Sequence, residues 1–239
     1  MTRRADLTVT SGVNAVPLSS EAEDTGPVPV KPRWRGVLHL GAFPVALMLG
    51  AGLVVAAGSG RARTATSVYA VTCCLLFGVS ALYHRGNWSP KPRAVLQRLD
   101  HSNIFLIIAG TYTPVAVLAL DGSTRDLVLV TVWAGAITGT LFNMVWTSAP
   151  RWLYVPLYVA LGWVALPVLP ALVRHAGWTA TALIALGGIF YTLGAIVYGR
   201  RRPDPHPAVF GYHEVFHGLT LAGYLTQYVA VAIVVLAAR

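Results

Sequence analysis

Long apolar stretches dominate this chain and leave it few options. Seven of them, each about 20 residues long, lie at approximately 36–58, 65–84, 99–120, 126–147, 152–173, 178–198 and 213–237. Lipid offers no hydrogen-bond partners to a bare backbone, so a run of this length reads as a helix that crosses a bilayer and satisfies its own backbone. The breaks between the runs carry loop chemistry: "GSGRAR", "RGNWSPKPR", "DGSTRD", "SAPR", "RHAG" and "RRRPDPHP" are charged or rich in Gly and Pro. The expected fold is an all-α membrane protein with seven transmembrane helices, multi-pass in the cell membrane. Charged residues make up 11% of the 239 positions and mean hydropathy is +0.61, which excludes an ordinary soluble domain. Residues 1–33 mix Ser, Thr, Glu, Pro and Arg without periodicity and read as a disordered tail, leaving 34–239 as the membrane domain. That tail has no apolar segment near its start, so no cleaved signal peptide is expected.

The net charge of +9 suggests topology rather than nucleic acid. Lys31, Arg33, Arg35, Arg85, Lys91, Arg93, Arg98, Arg151, Arg200, Arg201 and Arg202 flank one set of span ends, against Arg61, Arg63, Arg125, Arg174 and Arg239 at the other. The positive-inside rule then places the N-terminus in the cytoplasm and the C-terminus outside, with anionic lipid headgroups as partners of the basic face. Cys73 and Cys74 are adjacent in one span and point about 100° apart on a helix, so they form no disulfide with each other and read as small apolar residues.

Ionisable groups at membrane depth are costly and are therefore candidates for function. The segment "HEVFH" places His213 and His217 one turn apart on a helix face, where both imidazoles can reach one metal ion; the same H-E-x-x-H spacing occurs in zinc metalloproteases. In a seven-span chain, odd-numbered helices begin where even-numbered ones end. His84 closes the second span, Asp100 opens the third, and His213 and His217 open the seventh, so all four share one face of the membrane, cytoplasmic by the charge bias. Three imidazoles and a water make an open zinc site, and Asp100 is placed to hold or deprotonate that water. Ser80, one turn before His84, can bond to that imidazole, to the water, or back to its own helix. His39 and His101 read as hydrogen-bonded interfacial residues. Glu214 reads as a solvated carboxylate, with the general-base role of the soluble enzymes as its alternative. Pro114 predicts a kink in the third span.

Three blocks in order, "SALYH", "LDHSNIFLIIAGTYTP" and "HEVFH", resemble the signature blocks of the hemolysin III branch of the progestin and adipoQ receptor family, over about residues 35 to 239. The resemblance implies seven helices, a cytoplasmic N-terminus, and zinc held near the cytoplasmic face by His84, His213 and His217, with Asp100 on its water. It also implies a metal-dependent hydrolase of a membrane-lipid amide or ester, ceramidase-like in its chemistry. The chain departs from many bacterial relatives at "GYLTQY", where Gln227 stands in place of His. Two other readings compete: a receptor-like or regulatory protein whose zinc only staples helices, and a pore-forming cytolysin. The uniformly apolar spans, with ionisable groups gathered at one face, argue against the cytolysin.

Overall fold

A computed structural model describes residues 31–239 apart from 59, 147 and 148. The tail expected over 1–33 falls almost wholly outside the described residues. Where description begins, the N–H groups of Arg33 and Trp34 donate to the carbonyls of Ala208 and Val209, both at 3.1 Å.

All regular structure among the described residues is helical: α1 (Val37–Ala56), α2 (Arg61–Arg85), α3 (Pro90–Ala119), α4 (Gly122–Val145), α5 (Arg151–Gly162), a 3-10 turn at Trp163–Val168, α6 (Leu169–Arg200) and α7 (Tyr212–Ala237). Six helical runs are long and apolar enough to cross a membrane. The expected fifth and sixth spans lie together in one of these, the 50-residue run Arg151–Arg200.

That run doubles back on itself. Trp163 Nε1 donates to Thr192 Oγ1 at 2.9 Å, and Arg151 donates to the carbonyl of Tyr198 at 3.3 Å. At about 1.5 Å per residue a straight helix would put Trp163 and Thr192 roughly 43 Å apart. The reversal occurs at Gly177, where φ is 82° and ψ 166°, a conformation open essentially to Gly alone. At the same end of the molecule His175 Nδ1 lies 3.8 Å from Asp121 Oδ2, beside the connection from α3 to α4.

The break after α5 has a local cause as well. Pro167 lacks the N–H that an α-helix would use, and the backbone tightens into 3-10 geometry. Backbone groups freed at membrane depth need partners. Tyr112 of α3 supplies them: its hydroxyl donates to the carbonyl of Gly162 and accepts from the N–H of Ala165, both at 2.7 Å.

α3 is the most enclosed span, with 61% of its apolar window buried against 28% for α1 and α4. Its polar side chains tie it to its neighbours. Asn103 donates to the carbonyl of Leu75 in α2 at 3.0 Å, and Trp133 of α4 donates to Thr113 Oγ1 at 3.1 Å. Thr113 in turn donates to the carbonyl of Ala109 at 2.8 Å, and α3 continues through Pro114 as one helix, without the break that a proline invites. Outward positions such as Leu47, Met48, Val55, Val130 and Leu141 remain exposed, as a lipid-facing surface requires.

Candidate metal centre

Three helix ends meet at one end of the bundle. α2 stops after Arg85 because Gly86 turns extended, and the indole of Trp88 donates to the carbonyl of Leu82 at 3.0 Å, satisfying one of the last helical acceptors. α3 starts with Pro90, whose missing N–H costs nothing at the first helical position. α7 starts at Tyr212, whose N–H donates to Asp204 Oδ1 at 2.8 Å. The carboxylate of Glu214 accepts from the N–H of Gly211, also at 2.8 Å, so two anions sit at the positive end of α7.

This arrangement brings His84, His213 and His217 together as a buried cluster that could hold a metal ion; one ligand atom from each lies within 4.8 Å of the others. His84 Nε2 and His213 Nε2 are 3.2 Å apart. Tetrahedral zinc holds nitrogens at about 2.0–2.1 Å, which separates its ligands by roughly 3.3 Å. The donor set fits such an ion: all three groups are neutral-capable nitrogen donors and all three are buried. Asp100 Oδ2 lies 3.4 Å from His84 Nε2, beside the ring nitrogen that faces His213. All four residues singled out by helix parity therefore converge.

Ser80 is buried in the same region, beside Asp100. It bonds neither to His84 nor back to its own helix. His39, expected to be an interfacial hydrogen-bonded residue, is buried instead, stacked on His217 with ring centroids 3.7 Å apart and planes 7° apart. Both of its nitrogens lack partners, so it supports His217 by packing. The sequence carried no signal for this because α1 and α7 are far apart in the chain.

Glu214 corrects another expectation. It is 1% exposed rather than solvated, and Arg35 Nε lies 2.9 Å from its Oε1. The carboxylate is engaged in capping α7 and pairing with the segment that enters α1. On this face Lys31, outside the spans, has its pKa pushed below the ordinary lysine value by partial burial and then by Arg85, Arg93 and Arg35. His101 lies between two sites: its carbonyl accepts from Tyr158 OH at 3.2 Å, and it borders two cavities.

The first of these cavities starts at Ser80, Asp100, His213 and His217 and is otherwise walled mainly by apolar and aromatic residues, among them Ile104, Ile108, Val159 and Trp163. It is narrow, about 110 Å³, and reaches Gln227, whose amide contacts the carbonyl of Ile184 at 3.4 Å. Gln227 thus lines the same cavity as the imidazoles.

Comparison with known proteins agrees with the three sequence blocks. The family model described as Haemolysin-III related matches residues 29–228. The chain is 29% identical to the Hemolysin-3 homolog of Bacillus subtilis (strain 168) over 181 residues, 75% of this chain and 82% of that one. It is 33% identical to Hemolysin-3 of Bacillus cereus over 141 residues, 59% of this chain and 64% of the relative. It is also 29% identical to the Heptahelical transmembrane protein ADIPOR2 of Oryza sativa subsp. japonica over 195 residues, 73% and 83% of the respective chains. With its three blocks, its buried histidine cluster and these matches, the chain belongs to the haemolysin III related proteins, a multi-pass membrane family that forms a branch of the progestin and adipoQ receptor family.

Proposed function

We propose that the protein is a zinc-dependent hydrolase acting on an amide or ester of a membrane lipid at the cytoplasmic face. The observation that carries this reading is the placement of Asp100: a buried carboxylate next to a three-imidazole cluster, at the head of an apolar cavity. His84, His213 and His217 would hold the ion. Zinc, when bound, supplies Lewis acidity, polarising a carbonyl and bringing the pKa of water towards about 7.

The chain's own residues do the rest. Asp100 accepts a hydrogen bond from the attacking water, takes its proton on a carboxylate oxygen, and returns that proton to the leaving amine or alcohol as the C–N or C–O bond breaks, so the carboxylate is regenerated. Ser80, buried beside Asp100 and lining the same cavity, donates to the oxyanion that develops on the substrate carbonyl. Walls such as Ile104, Ile108 and Val159 receive an acyl chain and exclude water from the reacting bond.

The seven-pass topology belongs to the same proposal. A run of 50 residues is about 75 Å of helix, more than twice the hydrocarbon thickness, and the reversal at Gly177 supports reading it as two passes. Seven passes put the histidine cluster on the arginine-rich side, with the N-terminus cytoplasmic and the C-terminus outside.

One observation favours the rival reading of a structural zinc in a receptor-like protein. Asp100 is close enough to His84 to serve as a fourth ligand, and closed four-ligand sites are typically structural. Asp100→Asn separates the two readings. As a proton acceptor, Asp100 is replaced with full metal content and a loss of lipid turnover of about 10²- to 10⁴-fold. As a ligand, it is replaced with loss of metal and of thermal stability. Liposomes of ceramide or acyl ester, assayed for released fatty acid, provide the readout; a folded, zinc-loaded wild type that releases none from any of them contradicts the hydrolase.

A further inference from the structure

A second pocket lies beside the first, on the arginine-rich face. It measures about 550 Å³ and is lined from the start of α3, from Trp146, Ala149 and Pro150 together with the start of α5, and from the end of α6. Three arginines line it, Arg98, Arg151 and Arg201, and none of its described lining residues is acidic. Among the described residues none of the three is paired with a carboxylate.

The arginines are held differently. The guanidinium of Arg151 sits 4.5 Å over the ring of Tyr198 and donates to that residue's carbonyl, so its position is fixed. Arg98 Nε is buried and has no hydrogen-bond partner. A buried donor left unsatisfied on a cation is costly, and an anion with several oxygens removes that cost. Three guanidinium forks around one concavity suit a phosphate oxygen set better than a single carboxylate.

Position argues for a lipid headgroup rather than a soluble ion. Trp146 and Trp152 line the rim and are 46% and 76% exposed, as tryptophans are at the level of headgroups. The basic pocket and the apolar cavity also share a wall, formed by His101, Tyr154 and Tyr198. One amphiphile can therefore place its phosphate among the arginines and its acyl chain beside the histidine cluster.

We propose that this pocket binds the phosphate headgroup of an anionic glycerophospholipid. Binding stands on the pocket alone; only the step from ligand to substrate rests on the hydrolase reading. That step would make the enzyme select acyl lipids by a phosphate as well as by the scissile bond.

The test is a competition on the full chain in neutral detergent, followed by native mass spectrometry. Dioleoyl phosphatidylglycerol and dioleoyl phosphatidylcholine are offered together, so that identical acyl chains cancel the contribution of the apolar cavity. Wild type retains the phosphatidylglycerol with a preference of about tenfold, and Arg98→Gln and Arg201→Gln each remove most of it. Arg63→Gln, at the far end of α2, leaves the preference intact. No preference in wild type, or an unchanged preference in both pocket variants, overturns the proposal. Displacement of phosphatidylglycerol by millimolar inorganic phosphate alone would assign the pocket to a soluble anion and overturn the lipid source. Metal content measured on the same samples separates this outcome from the other: a histidine cluster that binds no metal ends the hydrolase reading without altering headgroup preference.

Discussion

At the scale of single residues, the histidine cluster depends on positions outside it. Gly36 caps α1 with φ 76°, and a Cβ there would lie 2.6 Å from the Cβ of His84. An alanine at this position meets both a left-handed backbone cost of roughly 1–2 kcal/mol and a clash with a candidate ligand's own stem. Gly36→Ala is therefore expected to lower metal affinity by displacing His84, measurable as a right-shifted zinc titration; an unchanged titration with unchanged stability would show that His84 is not set by this contact. Glu214 acts in a similar supporting way, joining the first turn of α7 to Arg35. The sequence made the histidine cluster legible because an i, i+4 histidine pair and helix parity are both local rules. It could not reveal Gly36, His39 or the Arg35 pair, since each depends on α1 packing against helices distant in the chain. Glu214 was misread as solvated for the same reason: its partner lies in a segment far from its own.

At the scale of elements, the passage from α5 into 3-10 geometry has a partner that absorbs it. Tyr112 serves both a free carbonyl and a free N–H where α5 gives way to 3-10 geometry. Tyr112→Phe keeps the ring and strands both groups at membrane depth, at about 1–3 kcal/mol for each. The variant is expected to unfold at a lower temperature in detergent while its zinc content holds, since Tyr112 is not among the clustered imidazoles. A thermal midpoint equal to wild type would mean that water or lipid reaches these groups instead. Pro167 announces the irregularity in the sequence, but its repair by a tyrosine on α3 does not appear there. Likewise, "RHAG" marks a loop between two apolar runs, yet helical geometry continues on both sides of Gly177, the residue inside α6 whose angles are non-helical. Hydropathy reports where apolar residues lie; it does not report whether the backbone between two runs stays helical.

At the scale of the whole molecule, helices α2, α3, α6 and α7 bring to one end of the bundle almost everything with chemistry: the histidine cluster, Asp100, the basic pocket and the anchoring loop at residues 201–211. The apolar spans leave the rest of the interior to packing, with Tyr228 of α7 donating to the carbonyl of Leu49 in α1 to link the last helix to the first. Seven passes predict opposite accessibility for Arg174→Cys and His206→Cys in a background lacking Cys73 and Cys74. A membrane-impermeant maleimide added to intact cells is expected to label the first and not the second; equal labelling of both contradicts the seven-pass orientation. The measurement that bears most directly on the central claim is elemental analysis of detergent-purified protein, wild type beside a folded His217→Ala. The account predicts about one zinc per wild-type chain and its loss in the variant. A folded wild type that carries no metal, and takes up none when zinc is added back, would contradict it.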